Sequence, residues 1–262
     1  MRPVSLILLA CLALASLPAR AVTISASQDL GAVPSTSGSG LLGYYYKFSS
    51  SSNIGSLSNA NQLISSSGGP TATFTTTEVC FPDCAGNSIS DSSTMTQFLN
   101  GHASNFSYTS ANHPISIDHS AIVLNGFIAI TQTGTYNFNL GSDDGSILTI
   151  GGQTVINNDS DHGFSFAGGD ATFTQTGLYA ISLTYFEDSG STGLALFAKD
   201  PNGNCVIGRA ANCAAGSAAT GLLYSSLPTT PTPEPASLLL FGAGLGGLAA
   251  VRRRRRRAVT SA

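Results

Sequence analysis

Positive charge is nearly missing from the middle of this 262-residue sequence. Between residues 22 and 228 only Lys47, Lys199 and Arg209 are basic, against 13 acidic side chains, whereas the whole chain sums to −3. A surface of that sign repels phosphate backbones, so no nucleic acid partner is expected; cations and neutral sugars suit it better. Catalytic signatures are also missing. Neither a G-x-S-x-G elbow nor an H-E-x-x-H pattern occurs. A glycosidase would need two carboxyl groups about 5–9.5 Å apart, and adjacent aspartates in one turn would both serve one face. No enzyme is expected. No segment keeps a long helical period, which argues against a helical bundle.

Apolar runs are short and confined to the ends. Residues 1–21 combine a Met-Arg-Pro start, the apolar stretch Val4–Leu17 and an Ala19-Arg20-Ala21 end, the pattern of a secretory signal peptide. At the other end, a Pro-rich linker (227–235) leads into 16 apolar residues, Ala236–Val251, and then into Arg252–Arg257 within a basic tail, 252–262. Such a segment is marginally long for a single membrane helix, and the arginines hold its end on the cytoplasmic side. The spacing of Gly242, Gly244 and Gly247 satisfies G-x-G-x-x-G. It lacks the strand, the helix and the downstream acid of a dinucleotide site, and small residues packing a short helix explain it better.

Export also fits the cysteines. Cys11 leaves with the signal peptide, which keeps Cys80, Cys84, Cys205 and Cys213. An even number in an exported chain points to disulfides. Three connectivities are possible; the local loops Cys80–Cys84 and Cys205–Cys213 are expected over a four-cysteine zinc site, whose knuckle spacing is absent.

What the core does contain is short period-two alternation. Tyr136, Phe138 and Leu140 alternate with polar residues, as do Tyr179, Ile181, Leu183 and Tyr185, and then Leu194 and Leu196. These are strands with one buried face, broken by turn residues as in an all-β sandwich. Gly151-Gly152 reads as a two-residue hairpin turn. A short helix with a Ser or Asp cap is expected within 91–99, a linker over 22–39 and a long loop over 49–69.

One internal repeat stands out: TQTGTY (131–136) and TQTGLY (174–179) each open a strand that runs to an acidic segment, SDDGS (142–146) or EDSGS (187–191). Were both strands to end at one rim, Asp143, Asp144, Glu187 and Asp188 would be neighbours. Asp-Gly is also a common hairpin pair, so SDDGS alone can be only a turn. The rival is calcium, which takes 6–8 oxygen ligands from carboxylates and carbonyls, although neither segment follows the EF-hand pattern. Other candidates are weaker. His113 and His119, with Asp118, have the wrong spacing for a zinc helix or finger. His162 could approach a sugar face or simply complete its loop. The faces of Tyr44, Tyr45 and Tyr46 could stack on sugars, but a buried first strand with one outward ring suits them better.

GLLGYYYKF (40–48), residues 125–158 and residues 177–203 resemble the protective-antigen-fourteen (PA-14) domain, most specifically from Gly134 through Ser-Asp-Asp-Gly-Ser to Ile150. The resemblance implies a PA-14-like β-sandwich over 40–226. In lectin-like members of this family an Asp-Asp pair joined by a cis peptide binds Ca²⁺, and Ca²⁺ binds sugar diols. Carried over, Asp143, Asp144, Glu187 and the Ser189 carbonyl would hold the ion, with Glu187 standing where flocculins carry Asn. Asp143, Asp144, Glu187 and Asp188 would face the carbohydrate. Pro233-Glu234-Pro235, the apolar segment and the arginines beginning at Arg252 resemble a PEP-CTERM sorting signal. That resemblance implies an exosortase-type partner, membrane anchoring before processing, and delivery to the envelope or the extracellular biofilm matrix. The alternatives are a structural matrix protein without a specific ligand and a protein-docking module.

Overall fold

The computed structural model describes residues 21–83, 85–111, 113–114, 116–208 and 222–227. Residues 1–20 of the expected signal peptide, Cys84, Cys213, Pro233, Glu234, Pro235, the apolar segment and the arginine run from Arg252 lie outside the described residues. Among the described residues no helix is long and apolar enough to cross a membrane.

The chain begins with β1 (Val22–Ile24), β2 (Leu41–Lys47), α1 (Leu57–Ser66), β3 (Ala72–Thr76), β4 (Cys80–Phe81), β5 (Ile89–Ser90), α2 (Met95–Leu99) and β6 (Ser104–Tyr108). It continues with β7 (Ser120–Ile130), β8 (Gly134–Asp143), β9 (Ser146–Ile150), β10 (Gln153–Asn158), β11 (Ser165–Phe173), β12 (Gly177–Glu187), β13 (Ser191–Lys199), β14 (Cys205–Ile207) and β15 (Leu223–Tyr224). Two sheets result. The first has the order β1-β11-β8-β13-β14, with β4 and β5 also paired to β13. The second has the order β10-β9-β12-β7-β2-β3-β6, with β15 on β7. The protein is therefore an all-β sandwich, as the alternation predicts.

The alternation maps directly onto the interior. Tyr136, Phe138 and Leu140 of β8 and Tyr179, Ile181, Leu183 and Tyr185 of β12 join one buried cluster between the sheets. The repeat gains a structural meaning there. In each copy the tyrosine hydroxyl donates back to the glutamine carbonyl four residues earlier: Tyr136 to Gln132 at 3.2 Å, Tyr179 to Gln175 at 2.8 Å. These are tyrosine corners, which fix how a strand enters the sandwich. Phe173 bridges the two rings, at 5.3 Å from Tyr136 and 5.0 Å from Tyr179. Gly151 and Gly152 carry φ of 56° and 76°, and Ile150 pairs with Gln153 across them, so the β9–β10 turn is the expected two-residue hairpin.

Three local expectations need correction. The linker expected over 22–39 begins with β1, which pairs in parallel with β11 through Val22–Ala171 to Ile24–Phe173; a three-residue strand is too short for period two to register. The loop expected over 49–69 contains α1, capped by the Ser56 hydroxyl on Asn59 N–H at 3.3 Å. Its serines and asparagines mask the apolar positions Leu57, Ala60, Leu63 and Ile64, of which Leu57 and Ala60 are buried. The short helix within 91–99 is narrower, Met95–Leu99, and its cap is Thr94, with Gln97 completing a capping box. In the Tyr44–Tyr46 run, Tyr45 is fully buried and its two neighbours face the other way, half-buried.

Candidate functional site

SDDGS is not a hairpin. β8 and β9 belong to different sheets, so Asp144 and Gly145 carry the chain across the sandwich rim. Asp143 pairs with Gly193 of β13, while Ser146 pairs with Asn158 of β10 and Tyr185 of β12. The crossing is tight. Ser142 Oγ and Ser146 Oγ lie 2.7 Å apart in the interior, and Asn158 Nδ2 donates to Ser142 Oγ at 3.1 Å. The Asp143–Asp144 peptide is cis. A Cβ on Gly145 would sit 2.3 Å from Phe186 Cε1, so only glycine lets β12 approach this closely.

The two acidic ends meet at this rim. Asp188 N–H donates to Asp144 Oδ2 at 2.9 Å, and His162 N–H donates to Asp144 Oδ1 at 3.1 Å. Asp144 thus ties the end of β12 to the loop between β10 and β11. The Tyr185 hydroxyl lies within hydrogen-bonding reach of the Asp143 carbonyl, of Glu187 Oε2 at 3.1 Å and of Thr192 Oγ1 at 2.6 Å. Asp143, Asp144 and Glu187 are 5%, 2% and 0% exposed. Glu187 Oε1 is buried and has no hydrogen-bond partner among the described residues.

Three buried carboxyl groups so close together cannot all ionise freely. Burial raises the Asp143 carboxyl above its usual range. Burial, with a hydrogen-bonded and charged Asp161 beside it, lifts Asp144 to about 7. Burial, then the charges of Asp144 and Asp143, lifts Glu187 to about 10. The cluster takes up either protons or a cation. Its donors are all oxygen, the set a hard dication prefers, and the orphaned Glu187 Oε1 points to a missing partner. The residues fit such an ion by donor chemistry. Among the described residues, no group of three or more His, Cys, Asp or Glu side chains stands in a coordinating arrangement. Asp144 accepts two N–H groups, and Glu187 turns toward Tyr185.

Sequence reasoning missed several members. Asp161, from the loop after β10, stands beside Asp144 and pushes its carboxyl up, and Ser88 stands beside Asp143 and pulls its carboxyl down. Asp91 grips the second tip: its Oδ2 accepts Gly190 N–H at 2.8 Å, and its own N–H donates to Gly190 O at 3.0 Å. Asp188, expected to face a sugar, lies beside His119, with Oδ1 3.8 Å from Nε2 and its carbonyl accepting His119 N–H. His119 also meets Asp118, which Lys47 holds at 2.6 Å. Ser189 is exposed at the tip. His113 instead stacks on Tyr108 at 4.2 Å, so the two histidines have separate partners. The ring of His162 faces the carbonyls of Asn158 and Gly163, which completes its loop. Cys80 and Cys205 are each disulfide-bonded; Cys84 and Cys213, the partners their spacing suggests, lie outside the described residues.

Residues 95–202 match the PA14 domain family, and residues 231–256 match the PEP-CTERM protein-sorting motif. The first match runs from α2 through β13 and includes every rim carboxylate except Asp91. Among solved structures the chain is similar to the PA14 domain of MpAFP antifreeze protein, with 22% identity and a TM-score of 0.57, covering 77% of this chain and 98% of that one. It is also similar to a PA14 sugar-binding domain from an RTX adhesin, with 23% identity and a TM-score of 0.54, covering 64% and 93%. At these identities the likeness speaks to the fold. No curated protein matches the sequence.

Proposed function

We propose that this chain, which carries a PA14 domain and a PEP-CTERM sorting motif, is an exported carbohydrate-binding protein whose sugar contact depends on Ca²⁺. The observation that carries the reading is the rim cluster of buried, all-oxygen side chains with an orphaned Glu187 oxygen. Asp143, Asp144 and Glu187 would hold the ion, with the Ser189 carbonyl. When bound, Ca²⁺ supplies coordination positions that vicinal hydroxyls can fill in place of water. The protein's own part is to fix the two tips. Asp144 ties the end of β12 to the His162 loop, and Asp91 ties Gly190. Asp161, exposed beside Asp144, marks the side open to a sugar. The similar RTX adhesin domain is sugar-binding, which supports the ligand class.

The sorting motif supports export with a transient membrane anchor, recognition by an exosortase-type enzyme, and release to the envelope or the extracellular matrix. There the chain would serve adhesion or the biofilm polysaccharide. We read it as a binding protein rather than an enzyme, since neither a G-x-S-x-G elbow nor an H-E-x-x-H pattern occurs in the sequence.

A second reading has one observation in its favour. Both Asp144 oxygens already accept backbone N–H groups, so the aspartate pair can be a structural staple in a matrix protein without a ligand. Retention of the full chain on immobilised glycans decides between them. Retention in calcium that is lost in chelator, and lost in the Asp143→Asn/Asp144→Asn variant, supports the lectin. A blank array in calcium supports the staple.

A further inference from the structure

The outer face of the first sheet is built differently from the rim. Side chains there alternate with the buried ones, and the register places them on a grid. Gly141 of β8 stands between Phe166 of β11 and Ala195 of β13. One step along, Asn139 stands between Gly168 and Phe197; the next row is Asp170, Asn137 and Lys199. Phe166 and Phe164 cover Gly141, where a Cβ would meet them at 2.5 and 2.7 Å, and the open ground lies beside them, over Asn139 and Asn137. Phe166 and Phe197 have ring centroids 5.6 Å apart, and Phe166 is 49% exposed, unusual for so large an apolar ring. Phe166, Phe197, Asn137, Asn139 and Lys199, with Ala85, line a groove of about 360 Å³. That volume lies in the range of small-molecule sites, roughly 300–1,000 Å³.

The charged residue that lines the groove is a lysine, in a chain of net negative charge. Between residues 22 and 228 only three basic residues occur, and one of them, Lys199, opens onto this face. Lys47, the other lysine, is taken by Asp118. Lys199 has no ion pair among the described residues. The carboxylate in its row, Asp170, already accepts Asn137 Nδ2 at 2.7 Å, and Asp200 accepts the N–H groups of its own turn. This leaves Asn137 Oδ1 and the whole exposed Asn139 amide to meet a ligand. At physiological salt the screening length is about 8 Å, so an anion in the groove feels Lys199 more than the distant rim carboxylates.

We propose that this face is a second, calcium-independent carbohydrate site that takes an acidic saccharide. The pyranose ring lies on the exposed Phe166, which the buried Phe197 backs, its hydroxyls meet Asn137 and Asn139, and a uronate carboxylate meets Lys199. A saccharide is favoured over a peptide strand because the groove lies in mid-sheet. β8 is paired on both sides, to β11 and β13, so no backbone N–H or C=O is free to extend the sheet. Recognition must come from an aromatic surface, amides and one cation, which together suit a ring with hydroxyls and a carboxylate.

The proposal does not rest on the rim site, and the test keeps them apart. The full chain is titrated calorimetrically in EDTA with hexagalacturonate, with maltohexaose as the neutral counterpart and oligoglutamate as an anion that is not a sugar. We expect hexagalacturonate to bind in EDTA and maltohexaose to bind more weakly. Lys199→Met weakens hexagalacturonate about tenfold or more, the scale of a lost charge-assisted bond. Phe166→Ala weakens both sugars. Both variants change surface side chains, and unchanged melting temperatures confirm that they fold. The Asp143→Asn/Asp144→Asn variant binds hexagalacturonate as the parent does. The proposal is overturned if nothing binds in EDTA, if Lys199→Met binds as tightly as the parent, or if oligoglutamate binds as well as the sugar.

Discussion

Replacing Glu187 with glutamine tests the rim most sharply, because it separates the burden of a buried carboxyl from its use as a ligand. Glu187 is fully buried, and burial together with Asp144 and Asp143 raises it from 4.5 to about 10. In the unfolded chain it ionises near 4.5. Between those two values the folded state keeps a proton that the unfolded state gives up. Without a cation, stability therefore falls as pH rises from about 4.5 toward 10, by about 1.4 kcal/mol per pH unit. At pH 7 the accumulated loss is on the order of 3 kcal/mol, equivalent to roughly 6–12 °C in melting temperature for a domain of this size. Glutamine keeps the shape and cannot ionise. In EDTA, Glu187→Gln should melt with the parent at pH 4 and above it at pH 8. Under the proposed calcium site the order should reverse in calcium, because a bound dication would neutralise the parent's carboxylates while the variant would lack one charged ligand. Thermal unfolding by circular dichroism across this pH range reads both effects. A variant that melts below the parent at pH 8 in EDTA would refute the reasoning.

Three further outcomes are expected. Gly145→Ala places a methyl 2.3 Å from Phe186 Cε1 and 2.8 Å from the Ser160 carbonyl; it should destabilise by about 1–3 kcal/mol in denaturant titration and lower calcium affinity by displacing the rim loops. Tyr179→Phe removes the bond to the Gln175 carbonyl at 2.8 Å and should cost about 1 kcal/mol in the same assay. Burial alone would raise Asp118, but its bonds to Lys47, Ser116 and His119 outweigh it and bring the carboxyl to about 2. Its stabilisation is present above its unfolded value of 3.8 and is lost as pH falls through 2; at partial exposure it stays below about 1 kcal/mol. Asp118→Asn should flatten the acid limb of the stability curve between pH 4 and 2.

The strands were legible because a half-buried strand writes its period into the sequence. Tyr179, Ile181, Leu183 and Tyr185 are such a record, and all four face the core. The meeting of the acidic tips was legible through the repeated TQTG motif, although its meaning changed: each copy builds a tyrosine corner, and SDDGS crosses between sheets instead of turning within one. What stayed hidden depended on distant parts of the chain. Asp91 and Asp161 reach the rim through loops whose paths are set by sheet pairing, and nothing in DSSTMTQFL or NNDSDHG marks them. β1 was hidden because three residues carry no period. α1 was hidden because its polar composition resembles a loop until the spacing of Leu57, Ala60, Leu63 and Ile64 is counted.

Calorimetric titration of the full chain with calcium is the most direct test of the rim cluster as a cation site. One ion should bind per chain at pH 7. Because Asp144 and Glu187 are raised into or above that range, protons should leave as it binds, so the measured heat should vary with the ionisation enthalpy of the buffer. Binding should vanish in Asp143→Asn/Asp144→Asn. A titration without heat in any buffer, with a melting temperature that calcium leaves unchanged, would contradict the account.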